Sequence, residues 1–148
     1  MLAKHLDTPF IIDGDEFREM FTNKNYGKEG REENIRNANA VATYLNKKGR
    51  EGTWMTIYCR ETANSIKGHP VDKETHVVMC LVNPYKHLRN ELRKNNGDQI
   101  VEVLLTSDRE LRKEYHVKGF ESGNPDHEIN TDQIPALSWR YLKSLLKK

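Results

Sequence analysis

An apolar run ends on two carboxylates in the segment FIIDGDEFREM, residues 10–20. Asp13 and Asp15 flank Gly14, and Arg18 follows three residues after the second acid. Ligands of open α/β sheets gather at the carboxyl ends of the strands. Asp13 therefore stands where a general base is expected, and Gly14 carries no side chain that would crowd a ligand there. The alternative is that Asp13 or Asp15 only caps the helix that contains Arg18.

A second group of candidate ligands lies in the segment GREENIR, at the start of a predicted helix. Arg31 and Asn34 are three residues apart and share one helical face near the helix N-terminus. Free N–H groups at a helix N-terminus attract anions, and an arginine beside them adds a bidentate donor for phosphate or sulfate. The alternative is an ordinary solvated helix start, with Glu32 and Glu33 placed favourably against the helix dipole. Together the two segments predict a phosphoryl-acceptor site with two carboxylates, two arginines and one amide.

Apolar runs alternate with helical patterns, which predicts an α/β domain with a mainly parallel sheet flanked by helices. The predicted strands are residues 9–13, 53–59, 76–82 and 100–106. The third of these is continuously apolar, as expected for a strand that is covered on both faces.

Helical periodicity predicts helices over residues 32–47 and 84–95, and a third helix capped by Thr131 or Asp132. The apolar face of the first helix contains Ile35, Ala38, Ala42 and Leu45, and Gly49 follows as a stop signal. The apolar face of the last helix contains Ile134, Leu137, Tyr141 and Leu145, and it is expected to cover the sheet. A lid-like loop rich in turn formers is predicted over about residues 107–130.

The chain has 148 residues and a net charge of +2, with 24 basic and 22 acidic side chains. This length predicts a single domain, residues 1–148. The balanced charge argues against a nucleic-acid partner, and no apolar stretch is long enough for a membrane span, so a cytoplasmic protein is expected. Cys59 and Cys80 lack the spacing of a metal site and are interpreted as free buried thiols.

Five segments resemble successive blocks of the adenylyl-sulfate kinase family, in the same order and over most of the chain. They are IIDGDEFR, NYGKEGREENIR, CLVNPYKHLRNELR, QIVEVLLTSDRELR and VKGFESGNPDHEINTD. The resemblance implies a P-loop kinase fold and transfer of the ATP γ-phosphate to the 3′-hydroxyl of adenylyl sulfate, with Mg²⁺, in sulfate activation. It implies a small-molecule nucleotide as the partner and leaves a homodimer open.

The resemblance also implies roles for the acidic and basic segments. Asp13 would receive the proton of the acceptor hydroxyl, with Asp15 as its neighbour in the acidic motif. Arg18, Arg31 and Asn34 would hold the phosphosulfate and the ribose of the acceptor.

Two aromatic residues complete the implied substrate site. Tyr26 and Phe120 would close on opposite faces of the adenine. The other substrate-binding positions implied by the resemblance are Val82, Pro84, Tyr85 and Lys118. Asn83 stands where the family has a serine.

The sequence departs from the family in two places. It contains no GxxxxGK[ST] phosphate loop, so the residues that would bind ATP are unknown, and residues 1–6 resemble the last turns of the helix that follows this loop. An insertion is predicted at about residues 50–75, whose strand at 53–59 would form either an edge hairpin or a replacement for a missing central strand. We therefore expect an N-terminally truncated kinase domain that is inactive or nearly so. The alternatives are a non-catalytic nucleotide-binding module and a kinase of another hydroxylated nucleotide.

Overall fold

The computed structural model describes residues 2–6, 10–51, 76–108, 117 and 119–145. Within these ranges the protein is a mixed α/β structure of helices and short parallel strand pairs. The predicted α/β class and the parallel strand pairing are therefore confirmed. The predicted strand at 53–59 lies outside the described residues, and so does nearly all of the predicted insertion.

The elements follow the predicted order, with shifted boundaries. The helices are α1 Leu2–His5, α2 Gly14–Met20, α3 Lys28–Glu51, α4 Lys86–Asn96 and α5 Pro135–Leu145. The strands are β1 Ile11–Asp13, β2 Val78–Cys80, β3 Val103–Thr106 and β4 His127–Asn130. Helix α3 continues past Gly49, because one glycine costs only about 1 kcal/mol relative to alanine and does not end a helix by itself. None of the helices in the described ranges is both long enough and apolar enough to cross a membrane.

The strands form two separate parallel pairs. β1 pairs with β2, with Asp13 opposite Cys80, and β3 pairs with β4, with Thr106 opposite Asn130. The described residues therefore form two two-stranded sheets and not one continuous sheet. Strand β4 also lies inside the predicted lid-like loop, so that prediction is wrong for residues 127–130. A single buried apolar residue, Ile129, among polar neighbours gives too little alternation for the strand to be recognised from sequence.

Two buried clusters meet along helix α3. The first contains Ile12, Phe17, Ala38 and Ala42, and the second contains Ile35, Tyr85 and Leu88. The half-buried side chain of Leu81 packs against both clusters. The predicted apolar face of α3 is confirmed at Ile35, Ala38 and Ala42, and it places α3 against the β1–β2 pair on one side and α4 on the other.

Three predictions about burial are wrong. The third predicted strand is not covered on both faces, because Cys80 and Val82 are exposed. The Cys80 thiol is free but exposed, and Cys59 lies outside the described residues. The apolar face of α5 is exposed as well, with 65% of Ile134, 42% of Leu137 and 47% of Tyr141 accessible.

An ion-pair network joins α4 to the β3–β4 pair. Arg93 Nη2 lies 2.7 Å from Asp126 Oδ2 and 3.3 Å from Glu102 Oε2, and the Glu102 backbone N–H donates to Asp126 Oδ2. Desolvation opposes ionisation of Asp126, but the hydrogen bonds from Arg93 and the Glu102 N–H, with the charge of Arg93, hold its pKa below the ordinary value. The hydrogen bond to Asp126 raises the pKa of Arg93.

We expect the Asp126→Asn variant to lose about 0.5–1 kcal/mol of unfolding free energy near neutral pH, a small value because the pair is partly exposed. A carboxyl whose pKa is lowered by folding stabilises the protein above its unfolded pKa, and this contribution is lost as the pH falls through the folded pKa. The difference between wild type and variant in urea unfolding should therefore disappear near about pH 2. Asp98→Asn, a change at an exposed aspartate, is the control. If wild type and Asp126→Asn differ in unfolding free energy by the same amount near neutral pH and near about pH 2, the ion pair does not contribute as described.

Candidate functional site

The Asp-Gly-Asp segment lies at the junction of β1 and α2. Asp13 is the last residue of β1, and its Oδ1 accepts hydrogen bonds from the N–H groups of Asp15 (2.9 Å) and Glu16 (3.4 Å). Asp13 is therefore the N-cap of α2, which is the structural role that the sequence left as an alternative. The cap uses Oδ1 and leaves Oδ2 outside these two bonds.

Gly14 is closely packed at this junction. A Cβ at Gly14 would lie 3.0 Å from the Cβ of Leu81, the residue that follows β2. The sequence predicted that this glycine leaves space for a ligand, but in the structure Leu81 lies beside it. The close contact brings the turn after β1 against the chain that leaves β2, at one edge of the parallel pair.

Asn34 ties helix α3 to the same turn. Its Nδ2 donates to the carbonyl oxygen of Gly14 at 3.1 Å, although the two residues are 20 positions apart. Only 4% of Asn34 is exposed, and its Oδ1 has no hydrogen-bond partner among the described residues. Asn34 is therefore placed against the Asp-Gly-Asp turn as predicted, and its buried Oδ1 is an acceptor without a hydrogen-bond partner among the described residues.

Two guanidinium groups meet at Tyr26. The Cζ of Arg18 lies 4.5 Å from the centre of the Tyr26 ring, and Arg31 Nε donates to the Tyr26 carbonyl oxygen at 2.9 Å. Tyr26 is 64% exposed, so its ring is accessible beside both cations. We call these three residues the basic–aromatic group. The structure thus brings together three of the predicted substrate ligands.

A hydrogen-bonded loop holds the basic–aromatic group in place. Arg18 Nη1 donates to the Asn25 carbonyl oxygen at 3.0 Å, and the buried Asn23 side chain donates to the Gly30 carbonyl oxygen at 2.8 Å. Helix α3 approaches this loop so closely that a Cβ at Gly30 would overlap the backbone of Asn25. The loop between α2 and α3 is therefore fixed from both ends.

A cleft of about 680 Å³ lies beside this loop. Asp15, Arg18, Lys24 and Tyr26 contribute to its lining, whereas Asp13, Arg31 and Asn34 are not among its described lining residues. Its volume is within the range of small-molecule sites, roughly 300–1,000 Å³. Glu19 also lines the cleft, so two carboxylates and two cations lie beside one aromatic ring. The ring suits a planar ligand, and the two cations can pair with an anionic group.

The other predicted substrate positions lie after β2. Val82 is 60% exposed and Phe120 is 47% exposed, whereas Pro84 and Tyr85 are buried. The Tyr85 side chain packs with Ile35 and Leu88 in the second core cluster, so it faces the interior.

Phe120 is brought close to the loop of residues 82–85, because the Glu121 N–H donates to the Pro84 carbonyl oxygen at 2.9 Å. The Lys86 N–H in turn donates to Glu121 Oε2. Lys118 lies outside the described residues. The segment that carries Phe120 is therefore joined to the chain that leaves β2, at the carboxyl edge where Asp13 also lies.

The sequence was compared with protein-family models and with curated proteins. No protein-family model matches it, and no curated protein is a significant match.

Sequence reasoning missed the arginine that organises the second part of the site. Arg89 contacts Asn83, Glu121, Glu102 and Phe120 through one guanidinium group. Arg89 and Arg93 are four residues apart on α4, a spacing that places both on one helical face. This spacing was visible in the sequence. It does not identify the acidic partners of the two arginines, however, because these lie 9 to 33 residues further along the chain.

Proposed function

We propose that this chain binds adenylyl sulfate, or a similar sulfated or phosphorylated nucleotide, as the acceptor half of an adenylyl-sulfate kinase-type transferase. One observation carries the proposal. Arg18, in the last turn of α2, and Arg31, near the start of α3, both contact Tyr26 in the loop between these helices, and Asn34 of α3 is hydrogen-bonded to Gly14 in the turn after Asp13. The proposed location is the cytoplasm, as expected from the sequence.

Each member of the group has a distinct role in this proposal. The exposed ring of Tyr26 would stack on the purine, because aromatic faces pack favourably in offset stacks. The guanidinium groups would bind the phosphosulfate. The Arg31 bond to Tyr26 uses Nε, so both Nη nitrogens can form a bidentate pair with an anion.

Asp13 is the proposed base for the acceptor hydroxyl. Its cap bonds from Asp15 and Glu16 hold the carboxylate in one orientation through Oδ1, so Oδ2 is the atom that would take the proton. A positioned carboxylate is the type of group that orients a hydroxyl for phosphoryl transfer.

The residues present do not fit the donor side of the reaction. The described residues contain no group of three or more acidic, histidine or cysteine side chains arranged for a metal ion, and the sequence contains no GxxxxGK[ST] loop. The proposal therefore concerns the binding of the acceptor nucleotide alone, without Mg²⁺ or ATP.

The missing phosphate-loop motif favours a second candidate, a nucleotide-binding module that does not transfer phosphate. Incubation with ATP, Mg²⁺ and adenylyl sulfate separates the two functions. A 3′-phosphorylated product supports the transferase, and binding without product supports the module. A panel of other hydroxylated nucleotides tests the remaining alternative, that the acceptor is different.

We expect calorimetry to detect saturable binding of adenylyl sulfate to the 148-residue chain, and Arg31→Gln to weaken it at least about tenfold. Losing a hydrogen bond to a charged group costs about 1.5–3 kcal/mol, and 1.4 kcal/mol corresponds to a factor of ten. Arg36→Gln is the matched control, since it makes the same charge change in the same helix at a residue whose ion pair among the described residues is with Glu32. Absence of binding, or equal weakening in both variants, would contradict the proposal.

A further inference from the structure

A network of neutral amide and hydroxyl groups joins the C-terminal end of α4 to α3. Asn96, the last residue of α4, donates from Nδ2 to Thr43 Oγ1 and to the Leu92 carbonyl oxygen, at 2.9 Å each. Its Oδ1 accepts a hydrogen bond from Asn46 Nδ2, also at 2.9 Å. Only 9% of Asn96 is exposed, so its amide is held by these three bonds in a buried position.

Gly97 follows Asn96, and this is the one Asn-Gly pair in the 148-residue sequence. In such a pair the backbone nitrogen of the glycine can attack the side-chain carbonyl carbon of the asparagine, because glycine has no side chain that obstructs the approach. The new carbon–nitrogen bond closes a succinimide ring. The proton of the backbone nitrogen passes through solvent to the side-chain nitrogen, which leaves as ammonia. Water then opens the ring at either carbonyl and produces aspartate or its β-linked isomer, isoaspartate.

The folded conformation of this pair opposes ring closure. The Gly97 N–H donates to the Arg93 carbonyl oxygen, so the attacking nitrogen holds its proton in a bond that caps α4. The ψ angle of −7° at Asn96 places the Gly97 nitrogen beside the backbone nitrogen of Asn96, whereas the ring requires it beside the Asn96 Cβ. The three bonds of the Asn96 amide also resist the rotation that would turn its carbonyl carbon toward Gly97. The reaction therefore requires that the end of α4 opens first.

We propose that Asn96 is a deamidation site that the α3–α4 amide network keeps closed: it reacts when the C-terminal end of α4 opens, and the product weakens the contact between α4 and α3. An aspartate here has no N–H group for Thr43 or for the Leu92 carbonyl oxygen, and its charge lies among neutral partners in a buried position. Isoaspartate adds a carbon atom to the backbone between α4 and the turn Gly97–Gln99. The inference does not depend on the proposed function.

The first test measures deamidation of the full chain in mildly alkaline buffer, in which the backbone nitrogen loses its proton more readily. Mass spectrometry of the tryptic peptide of residues 95–109 detects the acid formed at Asn96. We expect conversion in the folded protein to be at least about tenfold slower than in the chain unfolded in guanidinium chloride, because local opening limits the reaction. Equal rates in the two states, or no conversion in the unfolded chain, would overturn the inference.

The second test loosens the network without changing the reacting pair. Asn46→Ala removes the donor to Asn96 Oδ1, and Thr43→Val removes the acceptor of its Nδ2. We expect each variant to speed conversion by about three- to tenfold, the equivalent of one neutral hydrogen bond. Ile12→Val, which removes one methyl group from the other core cluster, is the control for a general loss of stability and should leave the rate unchanged. If Ile12→Val speeds conversion as much as the network variants do, the reaction follows global unfolding and the inference is wrong.

The third test concerns the consequence of the modification. Asn96→Asp reproduces the aspartate product, and Asn95→Asp makes the same chemical change at the adjacent exposed residue. We expect Asn96→Asp to speed hydrogen exchange of the Gly97 N–H at least about tenfold and to lower the urea midpoint of unfolding, because the end of α4 loses bonds to its neighbours. Asn95→Asp should change neither quantity. Equal behaviour of the two variants would show that the amide of Asn96 does not hold α4 and would overturn the inference.

Discussion

Replacement of Leu88 by alanine should lower the free energy of unfolding by about 2–5 kcal/mol, the range found when a large core side chain is truncated. Leu88 is fully buried on α4, where it packs with Ile35 of α3 and with Tyr85. Truncation leaves a cavity between the two helices, because the close-packed surroundings relax only in part. Urea unfolding at neutral pH measures the change.

Leu105→Ala is the matched control for this prediction. Leu105 is 63% exposed in β3, so the same chemical change there should alter the free energy of unfolding by only about 0.5 kcal/mol. Similar effects at the two positions would contradict the packing described for the second core cluster.

Replacement of Gly30 by alanine should destabilise the protein by about 1–3 kcal/mol and weaken nucleotide binding. The added Cβ would overlap the backbone of Asn25, which cannot move aside in the way that a flexible side chain can. The Asn25 carbonyl oxygen also accepts the hydrogen bond from Arg18, so we expect displacement of this loop to break that bond and to disturb the contact of Arg18 with Tyr26. Unfolding and calorimetric titration with adenylyl sulfate, each performed on the same variant, measure the two effects.

Gly27→Ala is the control within the same loop. Its added Cβ would meet only the Oδ1 end of the Asn25 side chain, at 2.9 Å, and a side chain of this kind can rotate away. We expect a much smaller loss of stability and little change in nucleotide affinity. Wild-type stability in Gly30→Ala would show that the loop between α2 and α3 is not held as described.

The sequence predicted well those features that depend on residues close together in the chain. The apolar face of α3 is an example, since Ile35, Ala38 and Ala42 repeat with helical spacing and all three are buried. The capping of α2 by Asp13 was only an alternative to its predicted role as a general base, although its partners lie two and three residues away. Strand β4 escaped prediction because Ile129 is its one buried apolar residue, so its sequence lacks the alternation that marks a strand.

The two glycines in the site also show that sequence alone does not identify the contacts that a residue makes in the fold. Gly14 and Gly30 were visible in the sequence beside charged residues, but the reason for each lies in its neighbour. The nearest neighbour of a Cβ at Gly14 would be Leu81, which is far away in the chain, whereas a Cβ at Gly30 would overlap the backbone of Asn25. A sequence motif can mark such a glycine, but it does not identify the atom that an added side chain would contact.

The sequence by itself determined which chemistry is available: acids after the first strand, arginines and an amide in the next two helices, and an α/β pattern to carry them. Only the tertiary structure decided which of these side chains meet. It placed Arg18, Tyr26 and Arg31 in contact, turned Tyr85 into the core, and used Arg89 to hold Phe120. The physical reason is that side-chain type and local spacing are written along the chain, whereas contacts between distant residues depend on the path that the whole chain takes when it buries its apolar surface.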